Sequence, residues 1–323
     1  MNVTVIITAY KEATTIKKAL QAIADPSYSK WKQDLEIIQI SPDEETLSAG
    51  KEYISEIQNP HLTYIQIKDP KKGKPHALNL GFKKAKGQFI VLTDGDVYLQ
   101  KGALKKILTA IKNTNKAAIC GQVRSQNTRK TFMGYISHLM TAAAHHKRMI
   151  ELSHIHSGYG TKLVQKTNFF PLTGYLFVVD MDKVHQKFPN GITVPEDCLV
   201  DDAYISYILY NAGLELGYAP ESMVYAKFPT HLNDYLKQKK RSTGGYLQLW
   251  KYGVVKTETK SRSFWHELRY AWFPIQYARN LFELLWSVSF YPLRLYLWIL
   301  IWWEQKIRRK DFASTWVRIE STK

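Results

Sequence analysis

Residues 88–99 read Q-F-I-V-L-T-D-G-D-V-Y-L, and this stretch decides how the rest of the chain is read. Phe89-Ile90-Val91-Leu92 is a short apolar run, which predicts a strand buried on both faces, as in a parallel sheet. The run stops at Asp94-Gly95-Asp96. Open α/β sheets bind ligands at the C-terminal ends of their strands. Side chains at i and i+2 of an extended chain point the same way. Magnesium-like cations are held by one or two carboxylates together with substrate phosphates. Asp94 and Asp96 are therefore candidate metal ligands at a diphosphate site. A plain polar turn explains the same three residues, since Asp and Gly are ordinary turn formers.

The surroundings extend this reading. The chain has 323 residues, is 45% hydrophobic and carries a net charge of +17. That is enough for one large domain with an appendage, and the charge calls for an anionic partner such as nucleic acid, an anionic membrane or a phosphorylated substrate. Cys120 and Cys198 lack metal-ligand spacing and read as small core residues of a reduced protein. Met1 leads straight into a strand pattern, so no signal peptide is expected.

Upstream, Asn2–Thr8 is a β-branched strand followed by a turn, Ala9-Tyr10-Lys11-Glu12, and by a helix with Ile16, Ala19, Leu20 and Ile23 on one face. The turn contains no glycine, so neither a P-loop nor a dinucleotide fingerprint is present. Leu35–Ile40 and Leu62–Ile67 are further strands. The first ends in Ser41-Pro42-Asp43-Glu44-Glu45, and the second in the basic loop Lys68–Pro75 that opens a helix. Gly102–Asn113 reads as a helix and Ala117–Val123 as a strand. This alternation predicts a doubly wound, mostly parallel sheet with helices on both faces.

Downstream, residues 131–151 are helical and carry His138, His145 and His146, expected at the surface or in an acceptor cleft. Residues 153–166 read as a loop. Strands are expected at Tyr175–Asp180 and Met223–Phe228. Asp201 and Asp202 fall at a helix N-terminus, where a dipole favours carboxylates whether or not they do chemistry. A basic helix, Thr230–Tyr246, carries Gln238 and Arg241.

The tail differs in composition. Seven of the nine tryptophans follow residue 260, and Leu284–Trp303 contains one charge, Arg294, and one proline, Pro292. That length reaches the threshold of a membrane span. Basic clusters on both sides disagree with a single crossing. The expectation is a membrane-associated tail that does not cross, or one that re-enters and breaks at Pro292. A buried dimer interface is the alternative.

Taken in order, T-A-Y-K-E, G-K-P-H-A-L-N, T-D-G-D-V, T-G-Y-L-F-V-V-D, V-D-D-A-Y-I-S and Q-K-K-R resemble a family 2 glycosyltransferase of the GT-A fold. The resemblance covers residues 1–250, leaving 251–323 as a helical, aromatic and basic tail. It implies that Thr8, Ala9, Tyr10, Glu12 and Asp43 line the base and ribose of a nucleotide sugar, with Gly73, Lys74, Asn79, Asp94 and Gly95 beside its ribose and diphosphate. It also implies Gln238 and Arg241 as donor contacts, Gly174 and Asp201 on the acceptor side, Asp202 as catalytic base, and Asp94 and Asp96 as ligands of Mn²⁺ or Mg²⁺. The chain carries S-P-D-E-E where the family often has D-D-G-S, which leaves the base open, and Ser242 where processive members have tryptophan.

The resemblance thus implies an inverting hexosyltransferase that uses a nucleoside diphosphate sugar, with a uridine diphosphate sugar expected. The acceptor would be a glycan or a lipid-linked hydroxyl, in polysaccharide or glycolipid synthesis at the cytoplasmic face of a membrane. No nucleic-acid partner is expected. Two rivals remain: a basic nucleic-acid-binding protein, which leaves the ordered motifs unexplained, and an inactive glycosyltransferase-like membrane scaffold.

Overall fold

Two apolar strands lie at the centre. β1 (Val3–Thr8) and β4 (Phe89–Asp94) run parallel, in register from Val3 opposite Phe89 to Thr8 opposite Asp94. All of β1 is buried, and so is β4 up to Thr93, which is why neither alternates polar with apolar. The computed structural model describes residues 2–156, 169–256, 268, 270–307 and 320–322.

The other strands are β2 (Leu35–Ser41), β3 (Leu62–Lys68), β5 (Tyr98–Leu99), β6 (Ala118–Ser125), β7 (Leu176–Asp180) and β8 (Leu216–Ala226). With the first pair they form an eight-stranded mixed sheet, in the order β3-β2-β1-β4-β7-β6-β8-β5. β3, β2, β1 and β4 are parallel neighbours, as the alternation predicts. Beyond β4 the direction reverses, with β7 antiparallel to both β4 and β6. A short βα crossover forces parallel pairing, but β7 follows a long insertion after β6 and is free to return the other way. β8 starts seven residues before the expected Met223 and runs through Pro220, a residue rarely found inside a strand.

The helices are α1 (Ile16–Ala24), α2 (Pro26–Ser29), α3 (Glu44–Ser55), α4 (Lys74–Lys84), α5 (Ala103–Lys112), α6 (Phe132–His156), α7 (Met181–His185), α8 (Asp201–Asn211), α9 (Leu232–Lys251), α10 (Phe273–Tyr277) and α11 (Leu281–Lys306). The chain divides into two compact units, Met1–Val123 with Pro171–Ala226, and Arg124–Phe170 with Lys227–Lys323. In the first unit Ile16, Leu20 and Ile23 of α1 and Leu104, Ile107 and Leu108 of α5 share one core with Val5, Ile7 and Val91 of the sheet. Cys120 and Cys198 are buried and form no disulfide, and burial pushes the Cys198 thiol up to about 12.

In the second unit Tyr135, Ile136 and Leu139 of α6 form a core with Tyr235 of α9 and Phe290 of α11. α11 is long and apolar enough to cross a membrane. It runs through Pro292 without a break, so the expected re-entrant bend there is corrected. A proline inside a helix costs about 3 kcal/mol through a lost hydrogen bond and a ring clash. Here Phe290 and Leu297, on either side of it, are both buried, and their packing helps offset that cost. His138 Nε2 donates to the Asn127 carbonyl at 2.7 Å, and the His146 ring stacks on Phe273 with centroids 4.7 Å apart. Of the expected loop at 153–166, residues 153–156 continue α6 and the rest lies outside the described residues, as do Arg262, Arg269 and the basic cluster at 308–310.

Candidate active site

Because β1 and β4 end level, Thr8 and Asp94 face each other at the C-terminal edge of the sheet. Thr8 Oγ1 donates to Asp94 Oδ1 at 2.7 Å, and the Gly95 N–H donates to the Thr8 carbonyl at 3.0 Å. Thr8 thus aims the Asp94 carboxylate. A Cβ on Gly95 would lie 2.5 Å from Glu12 Oε2 and 2.8 Å from the Ala9 Cβ, so the turn tolerates only glycine there. Asp96 follows in the same turn and is half-buried.

Lys74 opens α4 after Gly73, whose φ of 101° is one that residues with a Cβ rarely adopt. Its Nζ lies 2.8 Å from Asp94 Oδ1 and 3.8 Å from Asp201 Oδ2. A cation at a helix N-terminus opposes the dipole. Burial alone would also pull its pKa down, but the charges of Asp201 and Asp94 outweigh this and raise it. The ammonium therefore stays charged and joins the carboxylate at the end of β4 to that of the first residue of α8.

Asp202 sits in the first turn of α8. Its Oδ2 accepts from the Gly174 N–H at 2.8 Å and its Oδ1 from its neighbour's N–H, that of Ala203, at 2.8 Å. Burial, and then the like charge of Asp201, push its pKa up to about 6, against the opposing pull of Lys74 and the two N–H donors. A carboxyl tuned this way changes protonation state near neutral pH, as a general base must.

The remaining candidates lie in the loops after β1 and β2, on α4 and on α9. Asp43 caps α3 through Thr46 N at 3.0 Å and accepts from Lys11 N at 2.8 Å, so its carboxylate ties the end of β2 to the loop after β1. Burial would raise its pKa, but the hydrogen bonds from Thr46, Lys11 and Ser41 prevail and hold it below the usual range. Glu12 is buried, and its N–H donates to Thr46 Oγ1 at 2.8 Å. The Tyr10 ring has two ammonium groups near it, Lys11 at 5.8 Å and Lys71 at 5.7 Å from its centroid. Asn79 spends both ends of its amide on the backbone of Val194, at 2.8 Å each, and so latches the segment leading to α8. Gln238 and Arg241 lie on α9, in the second unit.

Sequence reasoning passed over two residues here. Asp69 is buried and accepts from Lys71 N at 2.9 Å, shaping the basic loop in which Lys71 takes a φ of 64°. Its signal was the Asp-Pro pair after β3, a turn initiator. His76 Nδ1 pairs with Glu196 Oε1 at 2.8 Å, joining α4 to the segment before α8, and nothing local marks that pair.

Among the described residues no set of three His, Cys, Asp or Glu side chains converges to hold a metal alone. Asp94 and Asp96 still offer the hard oxygens of a site completed by a ligand's phosphates, which suits Mg²⁺ or Mn²⁺.

The comparisons with known proteins agree with this arrangement. The profile described as "Glycosyltransferase like family 2" matches residues 1–245. "Probable glycosyltransferase YdaM" of Bacillus subtilis is 26% identical over 133 residues, covering 41% of this chain and 32% of that protein. Glycosyltransferase AglE of Haloferax volcanii is 26% identical over 121 residues, covering 38% of this chain and 39% of that one. The alignments thus span about a third of the length of these curated relatives. A solved structure described as mannosyltransferase PcManGT from Pyrobaculum calidifontis, in complex with GDP-Man and Mn²⁺, superimposes with a TM-score of 0.58 at 17% identity. That superposition covers 96% of this chain and 88% of the other, and it establishes the GT-A-like fold. With a profile spanning most of its length and a sheet edge built as that fold requires, this chain belongs to the family 2 glycosyltransferases.

Proposed function

We propose that the protein is an inverting hexosyltransferase that moves a sugar from a nucleoside diphosphate donor, expected to be a uridine diphosphate sugar, to a hydroxyl of a glycan or a lipid-linked acceptor. One observation carries the reading. Lys74 joins Asp94 at the sheet edge to Asp201, the residue before Asp202.

In this mechanism the acceptor oxygen attacks the anomeric carbon, and its proton passes to an Asp202 oxygen. The bond between the anomeric carbon and the diphosphate breaks, and the diphosphate leaves with the electron pair. A single displacement inverts the anomeric centre and needs no enzyme nucleophile. Gly174 and Ala203 hold the Asp202 carboxylate in place through their N–H groups, which is a matter of orientation. Asp43, Glu12, Ala9 and Tyr10 would wall the nucleoside. Gly73, Lys74, Gly95 and the positive side chains Lys71 and Lys72 would face its phosphates, with Gln238 and Arg241 as further donor contacts. A divalent metal bound by Asp94 and Asp96 would supply charge to offset that on the diphosphate.

The same reading puts the protein at the cytoplasmic face of a membrane, held through residues 251–323. It is supported by the apolar α11 and the basic residues that flank it in sequence. The test is incubation with a panel of nucleotide sugars and Mn²⁺, scoring nucleoside diphosphate release with and without lipid-linked and glycan acceptors. Release from one donor, accelerated by one acceptor, is expected. If no donor turns over, the enzymatic reading is lost.

A further inference from the structure

α11 is built inside out. Between Leu281 and Glu304 the two carboxylates and Ser287 are buried and Arg294 is half-buried, while the exposed residues are apolar apart from Ser289 and the hydroxyl of Tyr296. Glu283 is 5% exposed, Ser287 0% and Glu304 6%, whereas Leu281 is 69% exposed, Phe282 71%, Ile299 56% and Trp302 57%. Among the described residues from 281 to 304, no exposed side chain is charged. Water selects the opposite pattern, and an apolar solvent selects this one.

Both ends of the helix are clamped to the second unit. At the start, Arg129 reaches Glu283 bidentately, Nε to Oε1 at 2.9 Å and a terminal nitrogen to Oε2 at 2.7 Å, while its other terminal nitrogen donates to Tyr277 Oη at 2.7 Å. At the end, Lys240 Nζ of α9 lies 2.7 Å from Glu304 Oε1. Between them Ser287 Oγ lies 2.6 Å from Tyr135 Oη and donates to the Pro274 carbonyl at 2.6 Å. The two clamps are 21 residues apart, about 32 Å of helix, which matches the roughly 30 Å hydrocarbon thickness of a bilayer. A crossing helix would put one clamp on each side of the membrane. α9 packs on α11 through Tyr235 and Phe290, between the two clamps, so a crossing would also sink the start of α9 and draw Lys237 and Lys239 toward the hydrocarbon, which is costly.

We infer that α11 lies flat in one leaflet of an anionic phospholipid membrane. Its outward face is sunk to the level of the upper acyl chains, and its clamped face is turned to the protein. This deepens, and rests on, the reading that the tail holds the protein at a membrane. Charge selects lipid over a second copy of the chain as the occupant. A net charge of +17 draws the protein to an anionic surface and opposes pairing with an equally basic twin. Trp302 and Trp303, together on the outward side near one end, suit the interface between headgroups and chains.

The test uses the full chain with vesicles of phosphatidylglycerol and phosphatidylcholine. Phe282→Cys, Leu295→Cys and Trp302→Cys are each labelled with a fluorophore and quenched by lipids bearing nitroxides at shallow or deep acyl positions. The native cysteines are buried and add little background. A flat helix gives similar, shallow depths at all three positions, and Leu295→Asp weakens vesicle binding about tenfold or more. A deep Leu295 position between shallow ends means a crossing helix. That result overturns this inference while leaving membrane attachment standing. Failure to float with vesicles, together with a dimer by light scattering, makes the face an interface between copies and overturns both.

Discussion

The Gly174 N–H donates to Asp202 Oδ2 at 2.8 Å, and a Cβ on residue 174 would lie 3.2 Å from that same oxygen. The hydrogen bond and the missing side chain are one requirement, since the carboxylate can approach the backbone only where nothing projects from it. Gly174→Ala is expected to shift the carboxylate by a few tenths of an ångström and to lower transfer by about tenfold to a hundredfold. Nucleotide affinity should be unchanged by calorimetry. A wild-type rate in this variant would show that Asp202 needs no such positioning.

Asp202→Asn keeps the shape and loses the proton acceptor. Transfer should fall about 10²- to 10⁴-fold with donor binding retained. Asp201→Asn should cost less, and a dead Asp201→Asn beside an active Asp202→Asn would reassign the base.

The pH–rate profile tests the same carboxyl. With a pKa of about 6, Asp202 must be ionised to act, so the rate should rise with pH through that value and level off above it. Asp201→Asn removes the like charge that raises Asp202, so the acid limb should move to lower pH. The stability effect runs the other way. The folded form holds this proton more tightly than the unfolded chain, whose carboxyl has the ordinary value of 3.8. The contribution therefore favours folding at acid pH and is lost as the pH rises through about 6. Thermal melts across that range, wild type against Asp202→Asn, measure it.

Lys74→Met leaves Asp94 and Asp201 facing each other without the cation between them. A loss of about 1–3 kcal/mol in denaturant unfolding is expected, as for a hydrogen-bonded charge deprived of its partner. Weaker binding of the nucleoside diphosphate alone should accompany it. Unchanged affinity would remove Lys74 from the phosphate site, whatever the stability shows.

Asp96→Ala should abolish donor turnover and preserve the fold, because the half-buried side chain lies in a turn outside the core. Chelation with EDTA should do the same to wild type, reversibly on adding Mn²⁺. Full activity in EDTA would rule out the metal.

The local pattern alone predicted the strands β1 to β4, the helices α1, α4 and α5, and the placing of Asp94 and Asp202 at element ends. Those features follow from short-range physics, namely apolar runs, helical spacing and turn residues. Tertiary structure decided the rest. The return of β7 antiparallel depends on a long insertion that no window of sequence spans. Pro292 reads as a break, yet it sits inside a helix, as Pro220 sits inside a strand, because the packing on either side outweighs a lost hydrogen bond. Thr8 was expected at the nucleoside and turns its hydroxyl to Asp94, since strand register sets which side chains meet across 86 residues. The direction of α11 is the clearest case. Its composition says only that it is apolar, and the outward turn of that apolar face is set by Arg129 and Lys240, which reach Glu283 and Glu304 from segments far away in the chain.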